Sequence, residues 1–119
     1  MLAQYRCDEI SAEVYGIFHG ALKDTQRSLE SAVVDDFGSK AGLARDNALE
    51  SFDKVAHRYN NSVYKKKRAE LATKIEDFLT SLFTMQLRNL IKKVNQTFEA
   101  TFQVLFERFV LFGNLPLRM

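Results

Sequence analysis

The sequence predicts an all-α fold: an elongated antiparallel bundle of about three helices, the last of them long. Three observations carry this. Proline occurs once, at Pro116, and the five glycines stand at Gly16, Gly20, Gly38, Gly42 and Gly113. The long intervals between these breakers are filled with good helix formers. Apolar residues recur in steps of three and four, the period of one helix face, not in the alternation of a half-buried strand.

The first helix is expected from about Leu2 to Val34. Ile10, Val14, Ile17 and Ala21 step along one face, while Asp8, Glu9, Glu13, Lys23 and Asp24 lie largely off it. Gly16 and Gly20 have GxxxG spacing. Each costs about 1 kcal/mol relative to alanine inside a helix, so a close helix crossing is their expected use, and the charged neighbours argue against a membrane dimer motif. A break is expected over Asp35-Asp36-Phe37-Gly38-Ser39, where two acids disfavoured at a helix C-terminus meet a glycine and a capping serine.

A second, shorter helix follows from Ser39 to about Arg58, its face set by Leu43, Ala44, Ala48, Phe52, Val55 and Tyr59, with Ala41 and Ala56 beside them. Asn60-Asn61-Ser62 supplies turn residues and a capping hydroxyl, but no glycine or proline enforces a stop, so a helix continuous through this point stays open. From 65 to 112 the rhythm of Leu71, Ile75, Phe78, Leu79, Leu82, Phe83, Leu87, Leu90, Ile91, Val94, Phe98, Phe102, Leu105 and Phe109 runs without a breaker. At about 1.5 Å per residue that is a rod of roughly 70 Å. A helical domain is thus expected at 1–112 and an irregular tail at 113–119.

Such a rod cannot bury its whole apolar stripe against two shorter helices, and the excess should mark a partner, a neighbouring segment or a membrane surface. Phe98, Phe102, Phe106, Phe109 and Phe112, half of the ten phenylalanines, concentrate that excess at the C-terminal end. The isolated chain is therefore expected to self-associate or to bind an apolar dye such as ANS.

At 119 residues the chain has room for one domain at most. With 46% apolar and 27% charged residues it is neither disordered nor a disulfide scaffold. A net charge of +2 is too slight to imply a nucleic-acid partner. The lone Cys7 cannot form an internal disulfide, which favours a reducing compartment and a packing role. The longest apolar run, Phe109-Val110-Leu111-Phe112, is far short of the roughly 18 residues of a membrane-crossing helix, and the first residues lack the apolar core of a secretory signal.

No catalytic, cofactor-binding or metal-binding residue emerges. Gly38-Ser39-Lys40-Ala41-Gly42 lacks the order of a phosphate-binding loop. His19 and His57 have no His or Cys at metal spacing, and the acidic pairs Glu76-Asp77 and Asp35-Asp36 read as solvated faces. Asn60-Asn61-Ser62 and Asn95-Gln96-Thr97 match the N-glycosylation pattern by chance. The basic run Lys65-Lys66-Lys67-Arg68, with Lys74, could meet anionic lipid or an acidic partner. Residues 1–60 carry net −3 and 61–119 net +5, so pairing inside a hairpin of the second and third helices is the favoured reading.

Two segments, Tyr5-Arg6-Cys7-Asp8-Glu9-Ile10 and Val63-Tyr64-Lys65-Lys66-Lys67-Arg68-Ala69-Glu70-Leu71, resemble the helical middle domain of the Sey and root-hair-defective dynamin-like GTPases, counterparts of animal atlastins. The similar stretch covers about 5 to 110. The resemblance implies a helical stalk segment of a GTPase that mediates homotypic fusion of endoplasmic reticulum tubules. The stalk would lie at the cytoplasmic face of that membrane and couple GTPase-domain dimerisation to it. The implied partners are the protein's own GTPase domain, further middle-domain helices and a second copy in a homodimer, with the membrane met indirectly. GTP and magnesium belong to the full-length family, and none of its catalytic motifs has a matching position here. Tyr5, Ile10, Val14 and Ile17 are the implied packing positions near the head. The tail 113–119 departs from the family's helical pattern. The alternative reading is a free-standing amphipathic helical scaffold or lipid-surface-binding protein.

Overall fold

The described residues, 2–111 of a computed structural model, form four helices and no strand: α1 (Leu2–Ala21), α2 (Lys23–Leu29), α3 (Phe37–Ala56) and α4 (Asn61–Leu111). Phe112 and the tail expected at 113–119 lie outside the described residues. The molecule measures 82 × 22 × 17 Å. This is the all-α, elongated bundle that the periodicity predicts.

Contacts between the helices give their directions. Asp8 on α1 meets Lys67 on α4, and ten residues further along Phe18 meets Phe78, so α1 and α4 run parallel. Phe37, Arg45 and Asp53 on α3 approach Phe83, Glu76 and Arg68 on α4, in descending order, so α3 runs antiparallel to it. Cys7, Ile10, Val14, Phe18 and Leu22 from the first chain pass, Ala41, Ala48, Phe52 and Ala56 from α3, and Leu71, Ile75, Leu79 and Leu82 from α4 fill one core.

That list corrects two expected faces. On α1 the buried line passes through Phe18 and Leu22, and Ile17 and Ala21 are exposed. Adjacent Ile17 and Phe18 offer two lines one residue apart, and the one that buries the larger ring wins. On α3 Ala48 and Phe52 are buried as expected, together with Ala41 and Ala56 beside them, whereas Leu43 and Val55 are exposed. Gly16 and Gly20 carry no close crossing, since a Cβ at either would meet nothing within 4 Å.

The single helix expected over Leu2–Val34 is also corrected. The chain bends at Leu22, whose N–H reaches back only to the His19 carbonyl, and the helix ends at Leu29 instead of Val34. The cause lies on α4, where two amide side chains hold the connection to α3. The Gln86 side chain accepts from the Val34 N–H at 2.9 Å and donates to the Val34 carbonyl at 2.7 Å, both in a buried setting. Asn89 donates to the carbonyls of Leu29 and Ala32 at 2.7 and 2.8 Å. These carbonyls have lost helical partners, and the amide replaces them.

α3 starts at Phe37, two residues before the expected Ser39, with Asp36 at the cap position and no side-chain cap bond. Burial of the Phe37 ring stands in for the missing cap. The turn at 57–60 does break the chain, as the asparagines suggest. The cap is Asn60, not the Ser62 hydroxyl: its side-chain oxygen accepts from the N–H groups of Ser62 and Val63 at 2.9 and 3.3 Å. α4 then runs 51 residues without interruption.

Asp53 ties α3 to α4, accepting from the Tyr64 hydroxyl at 2.7 Å and from the Arg68 guanidinium at 2.8 Å. Partial burial pushes its carboxyl up, but these hydrogen bonds and the Arg68 charge outweigh that and hold it below the usual carboxylate value.

Phe52→Ala is expected to lower unfolding stability by about 3–5 kcal/mol in urea titration, because the ring is wholly buried. Gly16→Ala should raise it by about 0.5–1 kcal/mol, since the helix gains a residue of lower backbone entropy at no steric cost. Asp53 contributes stability above its unfolded-state pKa of about 3.9, lost as pH falls through the lower folded value. The stability gap between the parent and Asp53→Asn should therefore be constant near neutrality and close below about pH 4.

Candidate interaction surface

The two segments that carry the family resemblance come together at the end of the bundle where α1 and α4 begin. Cys7 and Leu71 are both fully buried there. The Lys67 ammonium donates to Asp8 at 2.7 Å and lies 3.6 Å from Glu70, with its side chain only 13% exposed. The hydrogen bond to Asp8 raises the Lys67 pKa above the ordinary lysine value, against a smaller opposing effect of burial. Arg6 and Glu9 form an exposed pair at 3.1 Å. Burial pushes the Cys7 thiol up, and the Asp8 charge adds to this, so the cysteine is a neutral packing group and a poor nucleophile.

The basic run divides: Lys65 and Lys66 are exposed, whereas the fold takes up the other members. Lys67 is held by Asp8, Arg68 by Asp53, and Lys74 sits 4.7 Å from the centre of the Tyr15 ring. Each of these contacts joins the basic second half of the chain to its first half, as the charge balance suggests.

The implied packing positions divide. Ile10 and Val14 face the core and are not available to a docking head, whereas Tyr5 and Ile17 are 63% and 68% exposed. His19 lies against Phe78 at 4.7 Å between ring centres, and His57 bonds the backbone carbonyls of Asp53 and Lys54 through Nδ1. The histidines are not brought together. No group of three or more His, Cys, Asp or Glu able to hold a metal exists among the described residues. A shallow cleft of about 620 Å³ is lined by Asp46, Leu49, Glu50, Asp53, Lys54, His57 and Arg68. Within it the part-buried Asp53 is paired with Arg68 and the exposed Glu50 with Lys54.

The largest unsatisfied feature is on α4. Bundle contacts end near Asn89, and the remaining 22 residues to Leu111 project for roughly 33 Å. Along this stretch Leu87, Leu90, Ile91, Val94, Phe98, Phe102, Val104, Leu105 and Phe106 are all exposed. The excess expected at the C-terminal end is therefore present at Phe98, Phe102 and Phe106; the side chains of Phe109 and Phe112 lie outside the described residues. No helix is long and apolar enough to cross a membrane among the described residues.

The residues that sequence reasoning missed are Gln86 and Asn89. The available signal was two amides three residues apart inside an otherwise apolar run, a spacing that puts both on one helix face.

Comparison with known proteins is consistent with this geometry. Protein SEY1 of Mycosarcoma maydis is 39% identical over 100 residues, covering 83% of this chain and 12% of that protein. Protein SEY1 of Laccaria bicolor is 40% identical over 100 residues, covering 83% and 13%. Protein sey1 of Pyrenophora tritici-repentis is 43% identical over 94 residues, covering 73% and 11%. The chain thus spans about one-eighth of the length of the curated relatives it matches. No solved structure matches it. The family model described as the Sey1 three-helix bundle domain matches residues 35–112, from the loop before α3 through α4. With most of its length covered by that model and its relatives near 40% identity, the chain belongs to the Sey1 family.

Proposed function

We propose that the chain is a helical stalk segment of a dynamin-like GTPase that mediates homotypic endoplasmic reticulum fusion, coupling GTPase-domain dimerisation to the membrane. The observation that carries the reading is mechanical. α4 is one helix of 51 residues whose start is locked to α1 and α3 by a buried core and by the Asp8–Lys67 and Asp53–Arg68 pairs. A rotation imposed on α1 is therefore carried along a rod 82 Å long without a joint in α4. The chain's role is positional. GTP and magnesium would be held by a GTPase domain elsewhere in a full-length parent, at the cytoplasmic face of the endoplasmic reticulum.

Of the implied head-docking positions, Tyr5 and Ile17, about 120° apart round α1, are the exposed ones a docking head could reach, in place of the buried Ile10 and Val14. A lipid-surface scaffold is the second reading, favoured by the exposed apolar stripe of α4.

In a full-length relative, aspartate at the positions matching Tyr5 and Ile17 should leave GTP hydrolysis near the parent rate and lower vesicle fusion about tenfold or more. Fusion at the parent rate would remove the docking assignment. Flotation of this chain with anionic vesicles separates the two readings: indifference to lipid supports the stalk, and tight binding with rising helicity supports the scaffold.

A further inference from the structure

The face of α4 that builds the core does not stay apolar to its end. At about 100° per residue, Asn89, Lys93 and Gln96 continue the line of Leu71, Ile75, Leu79, Leu82 and Gln86, and Lys92 flanks them. The exposed apolar residues Leu87, Leu90, Ile91 and Val94 lie about 120° round the helix from that line. Two cations therefore stand on the bundle side of the rod, just past the level at which Asn89 holds the connection between α2 and α3.

Together these elements form a cleft of about 360 Å³, with residues 31–33 on one side and Asn89, Lys92, Lys93 and Gln96 on the other. No carboxylate lines it among the described residues. Glu30, Asp35 and Asp36 belong to the connection, and Glu99 follows Lys92 two turns along α4. Among the described residues no ion pair joins any of them to Lys92 or Lys93. Arg88, one turn before Lys92, adds to the same positive side.

The cleft offers donors. The Ser31 hydroxyl, the Gln96 amide and the two ammonium groups can all donate. The N–H groups of Ser31, Ala32 and Val34 are taken by Ser28 and Gln86, whereas that of Val33 meets no acceptor among the described residues. Both hydrogens of the Asn89 amide are spent on the carbonyls of Leu29 and Ala32, so Asn89 fixes the wall of the cleft.

The geometry points to a phosphate-monoester site in this cleft, where Lys92 and Lys93 neutralise the dianion and Ser31, Val33 and Gln96 donate to its oxygens. A carboxylate brings one charge and two oxygens and would leave one ammonium unbalanced. A phosphate monoester brings nearly two charges and three strong acceptor oxygens, which match this donor set. The bound dianion bridges the connection to α4 just beyond the Gln86 and Asn89 bonds. Inorganic phosphate and an organic monoester are two sources of the same chemistry. The site is independent of the stalk reading.

The test titrates the isotope-labelled 119-residue chain with inorganic phosphate at about pH 7.5, where the dianion dominates, at constant ionic strength. The Ser31 and Val33 amide resonances should move saturably with a Kd of about 1 mM. A Lys92→Gln, Lys93→Gln double variant should weaken binding about tenfold or more, and Ser31→Ala about threefold, with helical circular dichroism retained. Lys65→Gln, Lys66→Gln removes the same charge at the other end of the bundle and should leave the Kd unchanged. Glycerol 3-phosphate separates the sources: tighter binding than inorganic phosphate assigns the site to an organic monoester, and equal or weaker binding assigns it to the free ion. Shifts that do not saturate by ~20 mM, equal shifts with acetate, or equal weakening by the Lys65 and Lys66 control would mean an adventitious ion only. Each of these overturns the inference and leaves the stalk reading standing, since that rests on fusion by a full-length relative.

Discussion

A 51-residue helix packed against helices of 20 residues or fewer must run out of partners part-way, and this mismatch of lengths organises the molecule. The first half of α4 supplies one wall of the core through Leu71, Ile75, Leu79 and Leu82. Beyond them α1 and α3 no longer reach the helix, and its sequence does two things there: it closes the bundle and changes face. Gln86 and Asn89 close it. The Gln86 amide satisfies Val34 backbone groups that would otherwise be buried without partners, and the Asn89 amide bonds the less buried carbonyls of Leu29 and Ala32. Leu87 then begins an apolar line on another side of the same helix.

The closing amides also set where the first chain pass ends. Residues 30–36 carry no proline or glycine, and local propensity would let α2 continue toward Val34. Four hydrogen bonds from α4 outweigh one further turn of helix, because they satisfy buried Val34 on both its N–H and its C=O. A donor and an acceptor on separate atoms of one amide fit that pair of backbone groups, whereas a carboxylate, which only accepts, could not.

Much of this was legible in the sequence. The all-α class, the long last helix, the break near Asn60 and the excess of apolar surface at Phe98, Phe102 and Phe106 follow from period and breaker positions, which are local properties. The break at Leu29 was not, because its cause sits more than fifty residues away. The face of α1 was misplaced by one residue because Ile17 and Phe18 are both large and apolar, and only the shape of the core chooses between them. The role of Lys67 and Arg68 was half legible: net charge of the two halves indicated internal pairing, but not which acids would be reached. The histidines read in the sequence as too far apart for a metal lie on different helices, His19 against Phe78 and His57 at the end of α3.

The projecting half of α4 shows why an unpartnered stripe can persist on one chain. A free peptide of 22 residues with Val94, Thr97, Thr101 and Val104 in its interior would be a marginal helix in water, because nucleation is costly and β-branched residues propagate it weakly. Here nucleation has already occurred in the bundle, and each further residue adds one hydrogen bond to an existing helix. The rod is therefore formed before anything covers it, which presents the apolar seam preorganised. A preorganised helix loses less conformational entropy on meeting its occupant than a disordered segment would. The same continuity gives the seam its mechanical meaning: whatever binds between Leu87 and Phe106 is held at a fixed rotation relative to the core around Leu71, so a change at either end of α4 is felt at the other.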